Sequence, residues 1–312
     1  MDFLPRDFLE TAEGLIFAVV EAGVEDGRAL CFLRYRRDEG RWRKVGTEEA
    51  NAWLAARHPE YLFHSPLRDA RLHGVPTQRI LRRHQPRQRV RDLLAQGATD
   101  GVERKALALL GWLRKCGIAA EHIGLTGSLL IQAQRPDSDL DFVIYGREPF
   151  HAARAAVREG LKRGMLHELS EPLWQDTFAR RACSLGEAEF RWHEARKFNK
   201  AAIDGSKFDI ALVAATPSQP LACRKRGGLT LRARVIDDTG AFDHPARYRL
   251  DHPSITEALS FTHTYVGQAQ TGEWVEIAGQ VEETAEGSRV VVGSSREALG
   301  EYIRVLHPSG GT

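Results

Sequence analysis

Two aspartates separated by a single leucine, directly before an apolar run, constrain this chain more than any other feature. The segment reads Asp139-Leu140-Asp141 and continues with Phe-Val-Ile-Tyr over residues 142–145. Alternate side chains of a strand point to the same face, so the pattern predicts two carboxylates roughly 6–7 Å apart along the backbone. Such like charges repel each other unless a cation lies between them. Hard oxygen ligands suit magnesium, so the segment predicts a magnesium site on a strand.

A glycine–serine pair precedes these acids. Ten residues separate Gly127-Ser128 from Asp139. The glycine allows a sharp turn after a predicted strand over residues 118–125, and the serine can cap a short helix that follows. Backbone N–H groups and a hydroxyl then converge where an anion is stabilised, which predicts a triphosphate-binding loop.

A third acid, Asp209, lies between Phe208 and Ile210 in a predicted strand over residues 208–214. An acid between two apolar strand residues is hard to accommodate in a core unless it faces a site. Three carboxylates on neighbouring strands can hold two metal ions about 4 Å apart for in-line phosphoryl chemistry. The sequence therefore predicts Asp139, Asp141 and Asp209 as one metal-binding set.

Together, Gly127-Ser128, Asp139-Leu140-Asp141 and Asp209 resemble the signature of the polymerase-beta-like nucleotidyltransferase superfamily. The complete chain is also similar to a group of uncharacterised predicted nucleotidyltransferases common in archaea. The resemblance implies that the Gly-Ser turn holds the β- and γ-phosphates of a nucleoside triphosphate. It also implies that the paired acids bind two Mg²⁺ ions, with Mn²⁺ as an alternative, and that Asp209 helps to activate an acceptor hydroxyl.

The function expected from these residues is metal-dependent transfer of a nucleoside monophosphate to an acceptor hydroxyl on a nucleic acid, with RNA favoured. Acceptors on a protein or a small molecule stay open, and so does an inactive nucleic-acid-binding protein on this scaffold. A metal-dependent glycosyltransferase could use the same Asp-x-Asp pair for a nucleotide sugar. Such an enzyme needs a long nucleotide-binding fold upstream, where this chain has a basic stretch and one helix.

Cations crowd the segment before Asp209. Arg196 and Lys197 are the preferred nucleotide contacts, with Lys200 and Lys207 as further cations that could neutralise phosphate charge. The alternative interpretation is a solvated helix face.

A second basic stretch precedes the predicted catalytic core, and local cationic density of this kind favours contact with a nucleic-acid backbone. The C-terminal part has aromatic residues that could stack on bases, although aromatics in small barrels more often form the core. The arginines are Arg79, Arg82, Arg83, Arg87, Arg89 and Arg91, and the aromatics are Phe261, Tyr265, Trp274 and Tyr302.

The fold class expected is α/β to α+β, with a small mixed-sheet nucleotidyltransferase core between two flanking domains. The predicted divisions are an N-terminal α+β domain over residues 1–70 and a basic linker over 71–99. The core then spans 100–220, and a β-rich, barrel-like domain spans 229–307.

The composition is that of a soluble protein, with 42% hydrophobic and 28% charged residues and a net charge of +2. Four cysteines show no paired spacing, which favours a reducing compartment over a disulfide framework or a zinc site. There is no N-terminal basic and apolar leader and no apolar run of about 18 residues. We therefore expect a cytoplasmic protein without a membrane partner.

Overall fold

The computed structural model describes residues 3–181, 183–214, 222–294 and 298–306. The chain forms a mixed α/β structure with three sheets, divided into two compact units. Of the described residues, 3–65, 71–168 and 199–214 belong to the first unit. The second unit contains 66–70, 169–198 apart from residue 182, 222–294 and 298–306. The predicted core was expected to end at residue 220, and residues 215–221 lie outside the described part of the chain.

The N-terminal part of the first unit is an antiparallel sheet with two helices. Its elements are β1 (Phe8–Thr11), β2 (Leu15–Val19), β3 (Arg28–Asp38), β4 (Arg41–Lys44), α1 (Thr47–Arg57), β5 (Leu62–Ser65), β6 (Ala70–Pro76), β7 (Ile80–His84) and α2 (Pro86–Gln96). The strand order is β5-β6-β3-β2-β1-β7, and β4 pairs with β3. β2 and β3 form an antiparallel hairpin, and β-strands together with α1 give the α+β character expected of this part.

The basic segment 71–99 is not a linker. Most of it forms β6, β7 and α2, and β7 completes the edge of the sheet by pairing with β1, with Glu10 opposite Arg82. Proline 86 stands at the first position of α2, where its missing N–H costs no helical hydrogen bond. Pro86 therefore starts a helix within the basic segment.

The rest of the first unit is built around a four-stranded sheet. Its elements are α3 (Gly101–Lys115), β8 (Ile123–Leu125), α4 (Gly127–Leu130), β9 (Leu140–Tyr145), α5 (Arg147–Lys162), β10 (Lys200–Ile203) and β11 (Ser206–Val213). The order is β10-β11-β9-β8, and β11 runs parallel to β9 while the other pairs are antiparallel. A crossover through a helix is what joins parallel strands, and α5 follows β9 directly. The predicted mixed sheet is confirmed.

The N-terminal sheet and the four-stranded sheet share one compact unit, whereas the sequence suggested two separate domains. Leu130 and Ile131, directly after the Gly-Ser turn, pack in one apolar cluster with Phe8, Ile16 and Tyr35 of the N-terminal sheet. This packing fixes the turn from behind.

The second unit contains two helices and a six-stranded sheet. Its elements are α6 (Glu171–Arg181), α7 (Glu187–Ala195), β12 (Arg224–Asp237), β13 (Ala246–Asp251), β14 (Ile255–Ser260), β15 (Trp274–Thr284), β16 (Gly287–Val292) and β17 (Tyr302–Val305). A short 3₁₀ turn, His263–Tyr265, lies between β14 and β15.

The barrel-like character expected of the C-terminal part is confirmed. The order β12-β13-β14-β16-β15 closes on itself because β15 also pairs with β12, and β14 and β16 are parallel. Counted within the barrel this is the order 1-2-3-5-4-1, the connectivity of the OB-fold. Residues Leu231, Ala233 and Val235 of β12 alternate inward, and Phe190 of α7 joins the same core.

No helix in the described part of the chain is long and apolar enough to cross a membrane.

Candidate active site

Strand register brings the three predicted acids to one place on the four-stranded sheet. Asp139 directly precedes β9, and Asp141 is its second residue. In the parallel pair of β9 and β11, Asp209 lies opposite Asp141, and Ile210 lies opposite Phe142. Both apolar partners are buried, whereas Asp139 and Asp209 keep 20% and 24% of their side chains exposed. The two strands that carry the acids are adjacent, as expected, and the role of the three acids as metal ligands stays a prediction.

A lysine ammonium lies between two of these acids. Lys207 Nζ is 3.1 Å from Asp139 Oδ2 and 3.1 Å from Asp209 Oδ2. Lys200, across the β10–β11 hairpin and in register with Asp209, approaches Asp209 Oδ1 to 3.3 Å. The cation that the paired carboxylates require is thus supplied by the chain itself.

The surroundings of the site disfavour the charged form of Asp141 and favour the charged form of Lys207. Burial raises the pKa of Asp141, and the neighbouring charges of Asp209 and Asp139 raise it further. Burial lowers the pKa of Lys207, but the charges of Asp209 and Asp139 outweigh burial and leave that pKa raised. Lys207 therefore stays charged, and Asp141 is the carboxyl whose negative charge is least compensated.

The turn at Gly127-Ser128 lies against the Asp141 carboxylate. Gly127 has a φ of +63°, and a Cβ atom built on it would come within 2.1 Å of Asp141 Oδ2. A side chain at this position is excluded both by the left-handed backbone and by the carboxylate. The backbone N–H of Thr126 donates to the Asp141 carbonyl at 2.9 Å, which holds the turn beside β9. Ser128 follows in α4 and is partly exposed.

The donor set suits a hard divalent cation, since all three predicted ligands are carboxylates. As the side chains stand, no group of three or more His, Cys, Asp or Glu residues in the described ranges is arranged to hold a metal ion. The position of Lys207 gives a physical reason, because its ammonium lies between Asp139 and Asp209. The acids fit a metal chemically once that ammonium moves.

Arg196 and Lys197 do not make their observed contacts at the acids. Arg196 forms an ion pair with Glu273 at 2.6 Å and lies over the Trp192 ring. Lys197 is buried, and its ammonium donates to the Glu194 carboxylate and the Thr264 carbonyl. These contacts all lie within the second unit. A nucleotide contact for this pair stays a prediction, and Lys200 and Lys207 are the cations found at the acids.

The six arginines of the basic stretch do not form one uniform surface. Arg89 is buried, bonded to the Glu103 carboxylate and, at 2.8 Å, to the Leu129 carbonyl, so a nucleic-acid role for it is wrong. Of the other five, Arg83 pairs with buried Asp7 at 2.6 Å and Arg79 pairs with Glu60 at 2.7 Å. Arg87 lies over the Tyr145 ring, and Arg91 bonds to Gln88. Arg82 is exposed on β7.

Sequence reasoning missed Tyr35 of β3, a residue from the N-terminal sheet. Burial, together with the nearby charge of Asp141, raises the pKa of Tyr35 to about 12. The phenol therefore stays neutral beside the acids. Nothing in the local sequence around Tyr35 points to this neighbour, because the packing of α4 against the N-terminal sheet creates it.

With this geometry established, similarity to known proteins adds a relative of the same extent. The chain is similar to a protein of Methanocaldococcus jannaschii described as uncharacterized protein MJ1086. The two are 29% identical over 96% of this chain and 98% of that protein. No family model matches the chain, and no solved structure matches it. Because nearly all of both chains aligns, the similarity includes both units.

Proposed function

We propose that this protein is a metal-dependent nucleotidyltransferase that transfers a nucleoside monophosphate from a nucleoside triphosphate to an acceptor hydroxyl. One observation carries the proposal. Asp141 and Asp209 are in register on adjacent parallel strands, Asp139 is bridged to Asp209 through Lys207, and Gly127 of the Gly-Ser turn packs on Asp141. A buried acid held beside two further acids and an anion-suited turn is costly for folding and typical of a functional site.

In the proposed reaction, Asp139, Asp141 and Asp209 would hold two Mg²⁺ ions. When bound, these ions supply charge stabilisation to the attacking and the leaving oxygen. The acceptor oxygen forms a bond to the α-phosphorus, the bond from that phosphorus to the bridging oxygen breaks, and pyrophosphate leaves. Asp209 orients the acceptor hydroxyl and takes its proton. The turn at Gly127-Ser128 holds the triphosphate beside the acids.

For the acceptor we propose a nucleic acid, with RNA favoured, and the outer face of the barrel supports this choice. Trp274 is 53% exposed and pairs in register with Arg234 of β12, so the two side chains share a face. The neighbouring row carries Arg232 opposite Glu276. An exposed tryptophan beside arginines can stack on a base and contact the adjoining phosphates. Tyr265, by contrast, is buried with its hydroxyl on the Glu301 carbonyl, so it is a core residue.

The alternatives are an acceptor on a protein or small molecule and an inactive nucleic-acid-binding protein. All three acids are present, which favours activity over the inactive scaffold. We also propose a cytoplasmic location, because Cys31, Cys116, Cys183 and Cys223 are all free thiols and suit a reducing compartment.

The test is to incubate the purified protein with each α-³²P-labelled triphosphate, Mg²⁺ or Mn²⁺, and pooled RNA, protein or metabolites. We expect label to become covalently attached to RNA with release of pyrophosphate. Asp137→Asn is a matched control for the same replacement at a proposed metal ligand, because Asp137 is an exposed turn residue two positions before Asp139. Label on a protein or metabolite would change the acceptor, and no transfer to any pool with any triphosphate would overturn the enzyme proposal.

A further inference from the structure

Lys207 occupies the place that a divalent cation would need. Its side chain is only 6% exposed, and its ammonium is equidistant, at 3.1 Å, from one oxygen each of Asp139 and Asp209. Lys207 precedes Asp209 by two residues on β11, so both side chains lie on the same face of the strand. A doubly charged ion and this ammonium cannot share the gap, since cations a few ångströms apart repel strongly in a partly buried site.

We propose that Lys207 is an exchangeable counterion. Without metal it neutralises Asp139 and Asp209, and metal binding requires its ammonium to leave. The displaced ammonium then pairs with the phosphates of the triphosphate. This inference rests on the proposed nucleotidyltransferase function, because it assigns a role to a residue of the same site.

The side-chain chemistry of lysine suits such an exchange. A flexible four-carbon stem carries a compact charge that makes single-point contacts, whereas an arginine would clamp a carboxylate through two parallel bonds.

Two neighbouring lysines separate this role from a general effect of charge. Lys200 approaches Asp209 from the adjacent strand, at 3.3 Å from Oδ1, whereas Lys207 contacts Oδ2 of the same carboxylate. Lys105 donates to the Ser206 hydroxyl at 2.9 Å, next to Lys207 in sequence. Lys105→Met therefore removes a nearby positive charge without opening the gap between the acids.

The experiment measures Mn²⁺ binding in the absence of nucleotide, by electron paramagnetic resonance of the unbound ion. The proteins are the parent, Lys207→Met, Lys207→Arg and Lys105→Met. We expect Lys207→Met to bind Mn²⁺ more tightly by about tenfold or more, since the metal no longer competes with an internal cation. Lys105→Met should bind as the parent does, and Lys207→Arg should bind no more tightly than the parent.

Two further readouts complete the test. Without metal, Lys207→Met should melt at a lower temperature than the parent, because Asp139 and Asp209 then repel each other. Added Mn²⁺ should raise the melting temperature of the variant and remove this difference. With Mg²⁺ present, calorimetry should show the variant binding α,β-methylene ATP several-fold more weakly, because one phosphate partner is lost.

The outcomes are distinct. If the parent and Lys207→Met bind Mn²⁺ equally, or the variant binds it more weakly, the exchange is overturned while the proposed metal site stands. If none of the folded proteins binds Mn²⁺ at millimolar concentration, the proposed function falls and this inference with it. If Lys207→Met does not fold, tighter Mn²⁺ binding by Lys207→Arg than by the parent would overturn the exchange.

Discussion

The acid face of the four-stranded sheet, formed by Asp139, Asp141 and Asp209, and the basic stretch from Arg79 to Arg91 are both dense in charge. The charges of the two regions are neutralised to different extents. In the basic stretch, Arg83 and Arg89 pair with the carboxylates of Asp7 and Glu103. On the acid face, two lysines approach Asp139 and Asp209, and Asp141 is left with a raised pKa. Charge density in a sequence is therefore a weaker sign of function than charge that the fold leaves uncompensated.

A structural ion pair and a functional cluster have different energetic signs. Removing one partner of a buried pair leaves an unmatched charge and destabilises the fold. Removing one of several repelling carboxylates relieves repulsion and leaves the fold intact or more stable. Mutations in the two regions should consequently separate stability from activity in opposite directions.

The largest expected effect is on the acid face. Asp141→Asn should lower nucleotidyl transfer by about a thousandfold or more, because a metal ligand is lost. Its free energy of unfolding should equal or exceed that of the parent, because one repelling charge is gone. Transfer of α-³²P label and urea denaturation measure the two quantities on the same preparation. A variant with parental turnover would show that Asp141 is not a ligand, and a large loss of stability would contradict the charge argument.

The basic stretch should give the reverse result. Arg89→Met should lower the free energy of unfolding by about 3–5 kcal/mol, because Glu103 is left buried and unpaired and the Leu129 carbonyl loses its donor. Arg82→Met, at an exposed position of β7, should change it by no more than about 0.5 kcal/mol. Urea denaturation of both variants measures the contrast. Equal effects at the two positions would show that burial does not distinguish these arginines.

In the second unit, a buried histidine makes stability depend on charge in another way, through its lowered pKa. His193 is buried, its Nδ1–H donates to the Gln268 carbonyl at 3.1 Å, and its Nε2 accepts from the Val305 N–H. Burial, together with the nearby charge of Lys197, lowers the pKa of His193 to about 3. In the unfolded chain this histidine has a pKa near 6.5, so at pH values between the two pKa values it is protonated in the unfolded chain and neutral in the folded chain.

Stability from this histidine is complete above pH 6.5 and is lost as the pH falls toward 3. Between pH 7.5 and 5 we expect a loss of about 2 kcal/mol from this one group, measured by urea denaturation at both pH values. His193→Gln should be less stable at pH 7.5 but should lack this part of the pH dependence, whereas His252→Asn should keep it. An unchanged slope in His193→Gln would assign the acid sensitivity elsewhere.

The local sequence was sufficient to place the three acids on two strands, and it named Lys200 and Lys207, but as phosphate contacts and not as partners of the acids. The alternation around Asp139, Asp141 and Asp209 is a local property of two strands, and the predicted strand at residues 140–145 is the one observed. The spacing of Lys207 to Asp209 carried a usable signal, since residues two apart on a strand share a face. Arg196 and Lys197 could not be judged locally, because Glu273 and Thr264, their partners, are distant in sequence.

The failures elsewhere have similar causes. β7 reads Ile-Leu-Arg-Arg-His, without apolar alternation, and becomes a strand through its pairing with β1 about 70 residues earlier. β13, by contrast, alternates strictly between buried and exposed residues from Ala246 to Asp251, so its local sequence does indicate a strand. Nonlocal pairing is the part of this fold that composition and periodicity do not encode.

The smallest expected effect concerns the outer face of the barrel, where charge is paired but an aromatic ring is exposed. If Trp274 stacks on a base, Trp274→Ala should weaken binding of single-stranded RNA by about 1–3 kcal/mol, with little change in stability because the ring is already 53% exposed. The slope of log affinity against log salt should stay the same, since no phosphate contact is lost. Arg234→Met, on the same face, should reduce that slope by about 0.7 per contact.

Filter binding of a labelled single strand at several salt concentrations measures both quantities, and Arg82→Met extends the test to the first unit. A flatter slope in Arg82→Met would assign it a phosphate contact, as the sequence predicted. An unchanged slope there, with weaker binding by Trp274→Ala and Arg234→Met, would move the acceptor contact from the basic stretch to the barrel. Parental binding by all three variants would remove both surfaces from the acceptor proposal and direct the search to protein and small-molecule acceptors, while leaving the prediction for Asp141→Asn untouched.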